Sequence, residues 1–255
     1  MRVTFIHHSC FVIETEEKAL IFDWFNGERV NGYHFGGVLP EFRPDMPVYV
    51  FASHKHQDHF DMDVLQLAEK YANIRFIFSK DCKMSPHFLE KHGFSRDIRD
   101  KILYVTISSK YQVDDLKIET FRSTDAGVAF LVETEGIALF HAGDLNNWRW
   151  EGVGDIINGK MEREYKSVIR RLSDRKIRLA FIPLDPRQGQ HQSLGLDYFL
   201  KNTNADYVFP MHMWQDYSGI ATYKKRLSNA SMAERVIEIT QENQTFEIGN
   251  AKDSA

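Results

Sequence analysis

The 255-residue chain is poor in cysteine, with only Cys10 and Cys82. Two thiols cannot build a disulfide scaffold, which points to a reducing compartment. No apolar run approaches the ~20 residues that a membrane span requires. Met1–Cys10 lacks the apolar stretch of a secretory leader. A basic excess is missing as well: 32 Lys and Arg stand against 36 Asp and Glu, a formal charge of −4. Such a chain is not built to neutralise many phosphates, so nucleic acid is not the expected partner, and neither is a membrane. There is no repeat of fixed period, no low-complexity tract and no linker. What is present, 43% hydrophobic and 27% charged residues, is the composition of a globular protein. A cytoplasmic protein with a single domain over 1–255 is expected. Its eleven histidines are the surplus that needs a reason.

Runs of β-branched and aromatic residues predict strands at Val3–Ile6, Phe11–Glu14, Ala19–Phe22, Val48–Ala52, Arg75–Phe78 and Lys101–Ile107. A second series is predicted at Lys117–Arg122, Val128–Glu133, Ile137–His141, Leu179–Pro183 and Tyr207–Met211, with late strands at Arg235–Thr240 and Thr245–Ile248. Helical spacing and caps predict Asp61–Tyr71, Ser85–His92, Met161–Arg175, Leu194–Leu200 and Tyr223–Leu227. Two rounds of strands with helices between them make an α/β fold. Trp24–Pro47 and Asn146–Gly159 read as long loops, the first as a lid or mobile segment.

The chemistry concentrates in Ser53-His54-Lys55-His56-Gln57-Asp58-His59, directly after an apolar strand. Imidazole nitrogen and carboxylate oxygen suit zinc, manganese or iron rather than calcium. More donors follow other strands: Asp125 after Lys117–Arg122, Asp144 in His141-Ala142-Gly143-Asp144, and His212 after Tyr207–Met211. Ligands of α/β sheets gather outside one end of the strands. His54, His56, Asp58, His59, Asp125, Asp144 and His212 are too many for one tetrahedral ion, and suit two ions sharing a bridging carboxylate and a bridging hydroxide.

The His-x-His-x-Asp-His motif at His54, His56, Asp58 and His59 resembles that of the metallo-β-lactamase-fold hydrolases. Asp144, His212, His7-His8-Ser9-Cys10-Phe11 and Ile21-Phe22-Asp23 strengthen the likeness, which runs over roughly residues 1–215. It is nearest to the lactonase-like and phosphodiesterase-like single-domain branch. The resemblance implies a four-layer αββα sandwich of two similar halves and a metal-dependent hydrolase. It also implies two divalent ions, with zinc first and manganese or iron as alternatives. On this reading His54 and His56 bind the first ion, Asp58, His59 and His212 the second, and Asp144 bridges both. Asp58 doubles as proton acceptor. The third histidine that the family gives the first ion is missing, and Ser123-Thr124-Asp125 stands there. Asp125 is expected to serve as a direct oxygen ligand in its place, the alternative being a group that only orients one.

An anionic small-molecule substrate is expected, an ester, lactone or phosphodiester held by Arg187, Lys55 or Arg149. His191 and Trp148 would contact it, and Trp150 and Trp214 would form a rim. The aromatic rim equally fits a contact between copies of the chain. A nuclease of the same fold and a non-enzymatic metal or ligand sensor are the alternative functions.

Overall fold

In a computed structural model that describes residues 1–30 and 32–249, the chain divides into two compact units. One holds Met1–Thr106 with the described residues from Glu242 onward, the other Ile107–Gln241.

The first unit is built on β1 (Arg2–His7), β2 (Cys10–Glu14), β3 (Ala19–Phe22), β4 (Val48–Ala52), β5 (Ile74–Ser79) and β6 (Ile102–Val105). With the C-terminal strand Gln244–Glu247 these form one seven-stranded sheet, in the order C-terminal strand, β1, β2, β3, β4, β5, β6. β1, β2 and β3 pair antiparallel, whereas β3 to β6 are parallel. Two antiparallel steps make β1 run with β3, so β1, β3, β4 and β5 all end at one edge. Their apolar runs are buried almost throughout, the pattern of strands covered on both faces. One face packs Ile21, Val50 and Phe76 against Leu65, Tyr71, Leu89 and Ile98. Those four come from a 3₁₀ turn at Met62–Gln66, the end of α1 (Leu67–Lys70), α2 (Pro86–Lys91) and a 3₁₀ turn at Arg96–Lys101.

The second unit is a six-stranded sheet of β7 (Lys110–Val113), β8 (Leu116–Arg122), β9 (Val128–Thr134), β10 (Ile137–His141), β11 (Leu179–Pro183) and β12 (Tyr207–Met211). Its order is β12, β11, β10, β9, β8, β7. β10, β11 and β12 are parallel, and the rest are antiparallel. Helices α3 (Asp155–Arg170), α4 (Leu194–Asn202), α5 (Ser218–Arg226) and α6 (Ala230–Arg235) complete it. Gly195 of α4 sits so close to Asn146 that any Cβ would overlap its Oδ1. That contact braces the loop after β10.

Several expectations need correction. The helix predicted at Met161–Arg175 is Asp155–Arg170, entering after Gly154 in a left-handed conformation (φ 84°) and burying Tyr165, Val168 and Ile169. The predicted loop Asn146–Gly159 therefore ends earlier. The Asp61–Tyr71 helix splits into a 3₁₀ turn and the short α1, because the Asp61 carboxylate accepts the Asp63 N–H and tightens the start. Tyr223–Leu227 is the end of a helix that begins at Ser218. Arg235–Thr240 is no strand; α6 runs to Arg235, and a single bridge joins Val236 to Val208. β7 carries no hydrophobic signal, alternating between exposed and half-buried residues. Trp24–Pro47 is not a free lid: Phe25, Phe35, Phe42 and Met46 are buried, and the Phe42 N–H donates to Tyr71 Oη.

Candidate metal centre

In the first unit, each donor sits just beyond a strand end at the shared edge. His8 follows β1 and Asp23 follows β3, both left-handed, with φ of 46° and 47°. Positive φ in a non-glycine residue is costly and tends to mark functional positions. Here it turns each side chain sharply off its strand. Ser53 to His59 follow β4, whose parallel pairing with β3 brings Asp23 beside Ser53.

Asp23 is the hub. Its fully buried carboxylate accepts the Ser53 N–H at 2.7 Å, the Ser53 hydroxyl at 2.7 Å and His59 Nδ1 at 2.8 Å. A carboxylate on Nδ1 fixes the proton there and leaves the lone pair of His59 on Nε2. Ser53, having given its proton to Asp23, receives His54 Nδ1 at 2.9 Å, so the lone pair of His54 is also on Nε2. Those outward nitrogens converge on other donors. His54 Nε2 is 2.9 Å from His56 Nδ1. Asp58 Oδ2 lies 3.3 Å from His8 Nε2 and 3.8 Å from His59 Nε2. His54 and His59 are buried and Asp58 half-buried, while His56 is exposed.

The second unit repeats the construction. His212 follows β12 with φ 64°, and Gly143, with φ 52°, turns the chain from β10 to Asp144. His141 is buried, and its Nδ1 accepts the Gly143 N–H at 3.2 Å. Asp185, just after β11, takes the hub role: its carboxylate binds His212 Nδ1 at 2.9 Å, leaving Nε2 directed at Asp144 Oδ1, 3.3 Å away.

Asp185 also receives Arg187 through Nε and Nη2, the closest contact being 2.6 Å. Burial by itself would raise its pKa, but hydrogen bonds from His212 and Arg187, with the Arg187 charge, outweigh that and hold it at about 2. A carboxyl depressed on folding adds stability that is complete above its unfolded value near 4 and lost as pH falls towards 2, on the order of 2 kcal/mol. Asp185→Asn is expected to remove that acid limb. Urea midpoints measured from pH 5 to 2 check this, and an unchanged slope would count against it.

The remaining sequence-predicted residues are placed as follows. Trp148 is buried; its indole N–H donates to the Asp144 carbonyl at 2.9 Å, and its ring meets His212 edge-on at 5.6 Å. It backs Asp144 and His212. Arg187 lies over the ring of Trp214 at 4.3 Å and near that of Trp150 at 5.9 Å, already paired with Asp185. Arg149 pairs with Asp155 at 3.0 Å. His191 ends a 3₁₀ turn, half-buried. Asp125 is exposed; its backbone N–H donates to Ser123 Oγ, and no side-chain partner holds its carboxylate among the described residues.

The donor set fits a divalent metal. The outward nitrogens of His54, His59 and His212 are lone-pair atoms, each set by a partner on the opposite nitrogen, as ligating histidines are. The 2.9 Å span of His54 and His56 is close to that of two imidazoles on one ion, whose bonds are roughly 2.0–2.1 Å. Sequence reasoning missed Asp23 and Asp185 as anchors. The signal available for both was position, the first polar residue after a wholly apolar strand.

The sequence model of the beta-lactamase superfamily domain matches residues 2–149. The chain belongs to this superfamily. Its metallo-β-lactamase-fold members are metal-dependent hydrolases, and the mixed α/β class with two sheets is the one expected from the sequence. Among solved structures, this superfamily member is similar to Igni18, a metallo hydrolase from the archaeon Ignicoccus hospitalis. The identity is 19%, covering 97% of this chain and 99% of that one at a TM-score of 0.61. It is similar to the isothiocyanate hydrolase from Delia radicum gut bacteria at 14% identity, 97% and 99% coverage and a TM-score of 0.57. CmlA, a diiron β-hydroxylase from Streptomyces venezuelae, is 12% identical over 97% of this chain and 54% of its own, with a TM-score of 0.61. No curated protein matches the chain. Among the described residues no helix is long and apolar enough to cross a membrane.

Proposed function

We propose that this superfamily member is a dinuclear metal-dependent hydrolase of a small anionic ester, lactone or phosphodiester. The observation that carries the reading is the repeated carboxylate–imidazole anchor: Asp23 on His59, and Asp185 on His212, at 2.8 and 2.9 Å. Anchors of this kind orient ligands and raise their basicity. His54 and His56 would hold one ion and Asp58, His59 and His212 the other, with Asp144 as the carboxylate they would share. Zinc is the expected metal for a set rich in imidazole. Iron is the alternative, in keeping with the diiron centre named for CmlA.

Divalent ions at such a site supply Lewis acidity and lower the pKa of water to ~7. The chain's own residues do the rest. Asp58, half-buried, accepts the proton released when water attacks. Asp23 and Asp185 keep the ring nitrogens of His59 and His212 in the ligating tautomer throughout. Arg187, over the Trp214 ring, and His191 contact the substrate, with Trp148 fixing Asp144 from behind.

Elemental analysis of the purified protein and assays on bis-p-nitrophenyl phosphate and a lactone panel test the reading. Two ions per chain and turnover of at least one of these classes are expected. Fewer than one ion per chain, or no turnover of any of them when loaded, would overturn it.

A further inference from the structure

A cleft of about 400 Å³ opens in the first unit beside the donor loop, within the size range of small-molecule sites. Three successive parallel strands feed it: Arg29 lies beyond β3, Lys55 and Phe60 beyond β4, and Lys83 and Met84 beyond β5. This is the carboxyl edge where parallel sheets bind ligands. Lys55 alternates with His54 and His56, so the cleft begins one residue from the ligands.

Its wall is apolar and adaptable. Phe60, Met62 and Met84 are half-buried, and Phe88 of α2 is 40% exposed. Methionine fills irregular shapes and tolerates varied ligands. The rim is charged, but most of that charge is committed. Arg29 is taken by Asp61 at 2.7 Å and Asp63 at 2.6 Å. Asp81 Oδ2 accepts the Lys55 backbone N–H at 3.2 Å. The ammonium groups of Lys55 and Lys83 form no ion pair among the described residues. The cleft thus offers an apolar wall under two uncommitted cations.

We propose that it binds the non-reacting part of an amphipathic anion. An apolar chain or ring would lie against Phe60, Met84 and Phe88, its carboxylate or phosphate between Lys55 and Lys83. Calling that anion the substrate rests on the hydrolase reading above; the binding itself does not.

Calorimetric titration of the full chain, stripped of metal with EDTA so that neither head group can coordinate an ion, uses decanoate and decyl phosphate as probes. At least one is expected to bind, the tighter of the two naming the anion, while acetate and inorganic phosphate at equal concentration give no heat. Phe88→Asp is expected to weaken binding about tenfold and Lys83→Glu about fivefold. Both side chains are exposed, so the fold is retained, as circular dichroism and melting will check. No binding of either probe, or affinity untouched by both substitutions, would overturn the proposal. On loaded enzyme, Phe88→Asp is expected to lower the kcat/KM ratio of p-nitrophenyl decanoate to the acetate ester about tenfold; an unchanged ratio would also overturn it. If neither ester is hydrolysed, the titration alone judges the cleft, while the phosphodiester and lactone assays judge the hydrolase reading.

Discussion

Asp144→Ala is expected to leave one ion per chain or fewer and to reduce hydrolysis by roughly 10²–10³-fold, the scale of losing several kcal/mol of charge stabilisation. The substitution is unusually clean. The Asp144 backbone carbonyl holds Trp148 Nε1 at 2.9 Å and Thr124 Oγ1 at 3.3 Å, and alanine keeps that carbonyl. Only the carboxylate disappears, with its 3.3 Å approach to His212 Nε2. Melting of the EDTA-treated variant should therefore stay within a few degrees of the parent, while elemental analysis and turnover change together. Two bound ions with full activity would remove Asp144 from the bridging position.

Asp23→Ala is expected to cost stability and metal affinity at once. Its carboxylate is fully buried and satisfies three donors from Ser53 and His59. Deleting it strands those donors away from water, a loss of about 3 kcal/mol or more. It also releases the tautomer of His59, and through Ser53 that of His54, for about a 10–100-fold loss of metal affinity. Asp23→Asn separates the two effects. The amide keeps the shape and one acceptor, so most of the stability should return, while the missing charge leaves metal affinity low. Denaturant midpoints without metal and competition with a chelating dye provide the two measurements. Equal metal affinity in parent and both variants would show that Asp23 does not tune the ligands.

Much of the fold was legible because its strands are apolar on both faces. β3, β4, β10, β11 and β12 match their predicted ranges exactly in extent, since burial of continuous Val, Ile, Leu and Phe leaves no ambiguity about where the run stops. α3 was misplaced because its first turn follows Gly154 and turns its isoleucines outward, Ile156 exposed at 88% and Ile157 at 55%. No periodic signal marks such a start. β7 was invisible for a related reason: an edge strand with polar outward residues gains its order from the partner β8, not from its own composition.

The surplus of histidines divides along the same line. The close spacing of His54, His56, Asp58 and His59 was enough to announce metal chemistry and a superfamily, because donor identity and spacing are properties of the chain itself. The scarcity of cysteine, the balanced charge and the short apolar runs set expectations of compartment and partner that rest on composition alone. Which nitrogen of each ring carries the proton was decided only by tertiary structure, since Asp23 lies 36 residues from His59 and Asp185 lies 27 from His212. Tertiary structure also left Asp125 exposed and committed Arg187 to Asp185. Hydrogen bonds between distant strand ends depend on which strands lie parallel and adjacent, and that order is set by the packing of the whole sheet.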